Sequence, residues 1–141
     1  MVQVQPGGLT NKRKRKMPKE LIDKLSRKDE RFLTIAINLA RSSNAGRYRH
    51  GAVVVKGGRI LSTGINKVRN HPDVLSSKEE VKSESHIHAE IDAIRKVSNL
   101  DGAKIYVARL NKNGTSVGLS RPCDSCYDKI VEVGITKIIY T

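Results

Sequence analysis

A chain of 141 residues, 38% of them hydrophobic, is long enough to bury one core around a sheet and is the size of one ordinary domain. Its two cysteines leave no room for a disulfide framework and point to a reducing, cytoplasmic setting, and no apolar run approaches the roughly 20 residues of a membrane helix. The formal net charge of +13, from 27 Lys and Arg against 14 Asp and Glu, makes a polyanion a candidate partner.

The charge is uneven. Six of the basic residues and none of the acidic ones fall within residues 1–19, and the run Lys12-Arg13-Lys14-Arg15-Lys16 repels itself. Residues 1–17 are therefore expected to form a disordered basic arm, with 18–141 as a single domain. Three roles are open to such an arm: nonspecific contact with nucleic acid, a nuclear address in a eukaryotic cell, or solubility alone. No secretion-signal apolar segment follows it.

Pro18 with Leu21, Ile22 and Leu25 predicts a short helix before Ser26. Phe32, Ile35, Ala36, Leu39 and Ala40 make a stripe that predicts a second helix covering a sheet face, closed over residues 42–46. Residues 52–56 and 59–65 read as strands joined by Gly57-Gly58, a two-residue hairpin, so the sheet should begin antiparallel. Residues 71–85 are polar and irregular. There follow a helix over 88–97, a turn at Asp101-Gly102, a strand over 104–110, a loop over 111–114, a helix over 124–133 ended by Gly134, and a strand over 136–140. Alternation of strand and helix from Ile60 onward implies crossover connections and parallel later strands, an α/β chain in a three-layer α/β/α sandwich.

Two short motifs carry the chemistry: His88-Ala89-Glu90, and Pro122-Cys123-Asp124-Ser125-Cys126. One histidine and two cysteines supply three ligands for one zinc. Three protein ligands leave a place for water, as in catalytic zinc sites, whereas structural sites use four. A glutamate two residues beyond the histidine lies close to such a metal without being forced into coordination, which suits a proton shuttle. Taken alone, Cys123-x-x-Cys126 also fits a redox dithiol or half of a structural zinc site. The redox reading expects a thioredoxin-like context, and the structural one needs two further ligands from His50, His71, His86 and His88. Of these, His86 and His88 are only two apart.

H-x-E followed by P-C-x-x-C is the signature of zinc nucleobase deaminases. On these residues the chain resembles the cytidine and deoxycytidylate deaminase superfamily, from about Arg49 to Tyr140. Residues 51–55 look like that family's first strand, Gly64-Ile65-Asn66 like its substrate-side loop, and residues 89–94 like its first catalytic helix. The resemblance implies a sandwich of the cytidine deaminase type with both zinc half-sites at facing helix N-termini, and a homo-oligomer. It implies His88, Cys123 and Cys126 as zinc ligands and Glu90 as the residue that moves protons. It implies too that the Ala89 N–H and the Arg121 carbonyl hold the base edge, and that Asn66 meets the sugar.

The long stretch from Asn66 to His88, and Leu119-Ser120-Arg121 before the Pro-Cys, are nearer to the deoxycytidylate branch than to tRNA adenosine deaminases. The expected function is hydrolytic deamination of cytosine to uracil in a free (deoxy)cytidine nucleotide. Thr141 directly follows a strand that relatives extend with a further strand and helix. Together with the basic arm, this sustains a second reading, a deaminase acting on cytosine or adenine within single-stranded DNA or RNA. Against it, Phe32, Tyr48, Tyr106, Tyr127 and Tyr140 are the whole aromatic set, a poor stacking platform. A third reading, a non-enzymatic nucleic-acid-binding module stabilised by zinc, has no use for Glu90.

Overall fold

The computed structural model describes residues 18–22, 25–43, 48–68, 86–111 and 116–141. The expected arm, the whole polar stretch 71–85, and residues 112–114 of the expected loop lie outside them.

Ser26 opens α1 (Arg27–Ala40): its hydroxyl accepts from the Asp29 N–H at 3.1 Å, and Asp29 and Glu30 place negative charge at the positive end of the helix. Phe32 and Ala36 of the stripe turn inward, joined by Leu33, while Ile35 and Leu39 are only partly buried against the same cluster. The hairpin follows, β2 (Arg49–Lys56) and β3 (Arg59–Ile65), antiparallel and joined by two glycines at φ 60° and 77°. Both turn residues need the left-handed region, where glycine meets no Cβ penalty.

A small separate ladder, β4 (Lys67–Val68) against β5 (His86–Ile87), pairs Lys67 with Ile87 and so brings the end of β3 beside the start of α2 (Ala89–Ile94). The remaining elements are β6 (Lys104–Leu110), β7 (Val117–Gly118), α3 (Asp124–Glu132) and β8 (Lys137–Tyr140).

The predicted helix at Pro18 is instead a strand, β1 (Lys19–Leu21), parallel to β8. Helical spacing over so few residues cannot offset the cost of nucleating a helix. Here the backbone finds a ladder: the Lys19 N–H donates to the Thr136 carbonyl at 2.9 Å, and Leu21 packs into the core under α1. The motif helix is also shorter than its pattern, ending at Ile94, because residues 95–96 turn toward the left-handed Asn99 (φ 61°).

The main sheet runs β1-β8-β6-β2-β3, with β7 on the far end of β6. β6 pairs parallel with β8 and antiparallel with β2, so the sheet is mixed: an antiparallel first hairpin and parallel later strands. Alternate residues of each strand serve opposite faces. Val53, Val55, Tyr106, Ala108 and Ile139 meet α1, while Ala52, Val54, Ile105, Val107 and Ile138 meet α2 and α3. This is the three-layer α/β/α sandwich. Under α1, Tyr106 donates a 2.6 Å hydrogen bond to Asp29 Oδ1, giving a buried carboxylate its partner.

Candidate active site

Gly64 sets the position of α2. A Cβ there would stand 2.3 Å from the Ala89 carbonyl oxygen and 2.5 Å from the Ala93 nitrogen, so only a residue without one lets the helix lie this close to β3. His88 is the N-cap of α2 and Cys123 the N-cap of α3, and neither side chain is spent on capping. Their side chains are therefore available to each other.

They converge. His88 Nδ1 lies 3.2 Å from Cys126 Sγ and 3.6 Å from Cys123 Sγ, and the three ligand atoms all fall within 4.8 Å of one another. Around a tetrahedral zinc, Zn–S of about 2.3 Å and Zn–N of about 2.05 Å put N and S about 3.5 Å apart, so the donor set fits that ion in spacing and in chemistry. Cys126 is buried and Cys123 exposed. Burial, then the Glu90 charge, pushes the Cys126 thiol well up, so a metal ion is what would hold it as thiolate.

Glu90 is the second residue of α2, 5% exposed, and burial raises its pKa against a backbone hydrogen bond and the His88 charge that lower it. A carboxyl group in such surroundings takes and gives up a proton more readily near neutral pH than an exposed one does.

Residues 26–141 match the family model described as the cytidine and deoxycytidylate deaminase zinc-binding region. The chain belongs to this family. It is a hydrolytic deaminase with zinc as its metal. Among curated relatives, the deoxycytidylate deaminase of Mycobacterium phage D29 is 30% identical over 129 residues, covering 79% of this chain and 92% of that one. The deoxycytidylate deaminase of Enterobacteria phage T2 is 29% identical over 154 residues, covering 77% and 76%. The dCMP deaminase of cyanophage S-TIM5 in apo form shares the fold, with a TM-score of 0.61, 24% identity, and 82% and 84% of the two chains covered.

Within this deaminase the other expected site residues are placed as follows. Ala89, fully buried, is the first residue of α2, where a helix leaves its backbone N–H without an intrahelical acceptor. The Arg121 side chain turns away to a paired hydrogen bond with Glu20 of β1 (Nε–Oε1 2.8 Å, Nη2–Oε2 3.2 Å) and lies over the Tyr127 ring. It thus ties the segment before Pro122 to the sheet edge. The Asn66 carboxamide is buried and used: Oδ1 accepts from the His50 N–H at 2.7 Å and the Ser43 hydroxyl at 2.6 Å, and Nδ2 donates to the Tyr48 carbonyl at 2.7 Å. It pins the entry of β2.

Asp92 escaped the sequence reading. Fully buried, it accepts from the Ile65 N–H at 3.2 Å, from Arg95 at 3.0 Å and from Lys96 at 3.2 Å, and lies 3.4 Å from Lys67. Burial raises its pKa, but the Ile65 and Lys96 hydrogen bonds outweigh that and leave it lowered. Asp92 locks α2 to the end of β3. The Arg95 and Lys96 spacing on one helix was visible beforehand; the link to Lys67 was not.

Proposed function

We propose that this deaminase converts cytosine to uracil in a free deoxycytidine nucleotide, dCMP foremost. The observation that carries the reading is the three-ligand set at 3.2–3.6 Å with the buried carboxyl of Glu90 on the same helix as His88. Membership of the family and the likeness to phage deoxycytidylate deaminases support the choice of substrate.

His88, Cys123 and Cys126 would hold zinc, which would supply the Lewis acidity that makes water nucleophilic near neutral pH. Glu90 takes the proton from the attacking water as the water oxygen bonds to C4 of the ring, and passes it to ring N3. It then moves the proton of the new C4 hydroxyl to the C4 amino group, and the C4–N bond breaks to release ammonia as the C4 carbonyl forms. The Ala89 N–H donates to the base edge and the Arg121 carbonyl accepts from it, while Asn66 meets the sugar. Residues 18–141 are the catalytic domain in this reading. Residues 1–17 are a basic arm whose Lys12 to Lys16 run touches nucleic acid nonspecifically. The enzyme is a cytoplasmic homo-oligomer, and no helix among the described residues is long and apolar enough to cross a membrane.

The test is incubation of zinc-loaded protein with deoxycytidine, dCMP, dCTP, a cytosine-containing single-stranded oligonucleotide and RNA, with base conversion read by mass. Conversion of dCMP is the expected result. Conversion confined to the polynucleotides would assign the enzyme to nucleic acid instead.

A further inference from the structure

Arg109 stands on the sheet face toward the site, and the reaction as described leaves it unused. In the register of β2 and β6 it stands opposite His50, and it follows Ile105 and Val107 on the face that packs against α2 and α3, the face that carries His88 and Cys126. His50 feels the charges of both Arg109 and His88, which puts the guanidinium within electrostatic reach of the metal site's surroundings.

Three features show that this guanidinium is held in place without a protein counter-charge. Its carbon stacks over the Tyr48 ring, 4.8 Å from the centroid. It is laid against β7: a Cβ on Gly118 would stand 2.4 Å from Nη2, 2.5 Å from Nε and 2.8 Å from Cζ, so the glycine provides the room it occupies. Its Nε is buried with no hydrogen-bond partner, and no carboxylate among the described residues pairs with it. Arg95 and Arg121, by contrast, each rest on a carboxylate. A buried donor without a partner costs stability, and such costs are tolerated where a ligand repays them.

We propose that Arg109, oriented by Tyr48 and Gly118, binds the phosphate monoester of the substrate nucleotide and makes the enzyme prefer a nucleotide to a nucleoside. This rests on the deaminase reading and specifies its substrate. A guanidinium suits the role because its planar donors meet two phosphate oxygens at once, and because stacking on tyrosine fixes it beforehand, so little side-chain freedom is lost on binding. The half-exposed Tyr48 keeps the arrangement open to solvent on one side.

The experiment compares wild type, Arg109→Gln, Arg109→Lys and Gly118→Ala on dCMP and deoxycytidine. In Arg109→Gln the ratio of kcat/KM for dCMP to that for deoxycytidine should fall by about 10- to 100-fold, the size of a lost hydrogen bond to a charged group, mainly through KM. Arg109→Lys should restore part of it. Gly118→Ala leaves every charge in place and crowds the guanidinium, so it should lower the same ratio; it also tests the proposal should Arg109→Gln fold poorly. Equal losses on both substrates, or none, would overturn the proposal, as would a loss seen only with a cytosine oligonucleotide, which would assign Arg109 to a backbone phosphodiester. Binding of the products by calorimetry separates this from failure of the deaminase reading. If no cytosine compound is converted, that reading fails. A tighter Kd for dUMP than for deoxyuridine, lost in Arg109→Gln, would still uphold the phosphate site, and equal Kd values would sink it.

Discussion

Gly64 and Ala89 touch through backbone alone: the place a Cβ of residue 64 would take is 2.3 Å from the Ala89 carbonyl oxygen. A strand glycine therefore fixes the height of the helix that His88 caps and that carries Glu90. Gly64→Ala should push α2 away, destabilising the protein by about 1–3 kcal/mol as overpacking does and weakening zinc affinity with it. Urea unfolding and a zinc competition titration measure the two effects. A variant with wild-type stability and affinity would show that the contact relaxes freely.

Zinc content tests the ligand set directly. Wild type should bind one zinc per chain, and His88→Ala or Cys126→Ser should lose both metal and activity. Full retention of metal in either variant would remove that residue from the site. Because the buried Cys126 thiol is pushed up, protons compete strongly for it, and occupancy should fall as the pH drops toward the acid side.

Glu90→Gln separates proton transfer from metal binding. The variant should keep its zinc and its fold while losing at least about 10²–10⁴-fold in kcat, the range of general acid–base catalysis. Zinc loss would make Glu90 a ligand, and near-normal turnover would exclude it from the reaction.

The Tyr106–Asp29 bond has a pH signature. Burial works to raise the Asp29 pKa, but the Tyr106 hydroxyl and Ser26 outweigh it and hold the carboxyl below its ordinary value. Its stabilising contribution is therefore complete above the unfolded value of about 3.9 and is lost as the pH falls from there through the lower folded value. Tyr106→Phe removes the first of those counterweights. Stability at pH 7 should drop by about 1–3 kcal/mol, and the loss on acidification should become shallower. Parallel pH curves for the two proteins, by urea midpoint from pH 7 to 2.5, would contradict this.

His50 works in the same direction as Asp29, at higher pH. Burial first, then the charges of Arg109 and His88, lowers its pKa from 6.5 to about 4. Between those values the unfolded chain binds a proton that the folded chain does not, so stability should fall as the pH drops from about 6.5 to about 4. An NMR titration of the His50 ring should find it neutral at pH 5, and Arg109→Gln should move its midpoint upward. A midpoint near 6.5 in wild type would refute the assignment.

The sequence by itself determined the elements that repeat a simple period or demand a special residue. The β2–β3 hairpin was legible because Gly57-Gly58 can take positive φ at both turn positions, α1 because Phe32, Ala36 and Ala40 return at helical spacing, and β6 because its residues alternate between two buried faces. The candidate ligands His88, Cys123 and Cys126, with Glu90, were legible because zinc chemistry constrains residue type and local spacing together. Tertiary structure alone decided the rest. Residues 19–21 became a strand because β8 offered hydrogen bonds that outweighed a weak helical pattern, a choice made 118 positions away in the Lys19–Lys137 pair. Asp92 gained Lys67, and Arg109 came to stand by Tyr48, through pairings of distant strands. Local spacing carries no information about such contacts, because they depend on which strands become neighbours and in what register.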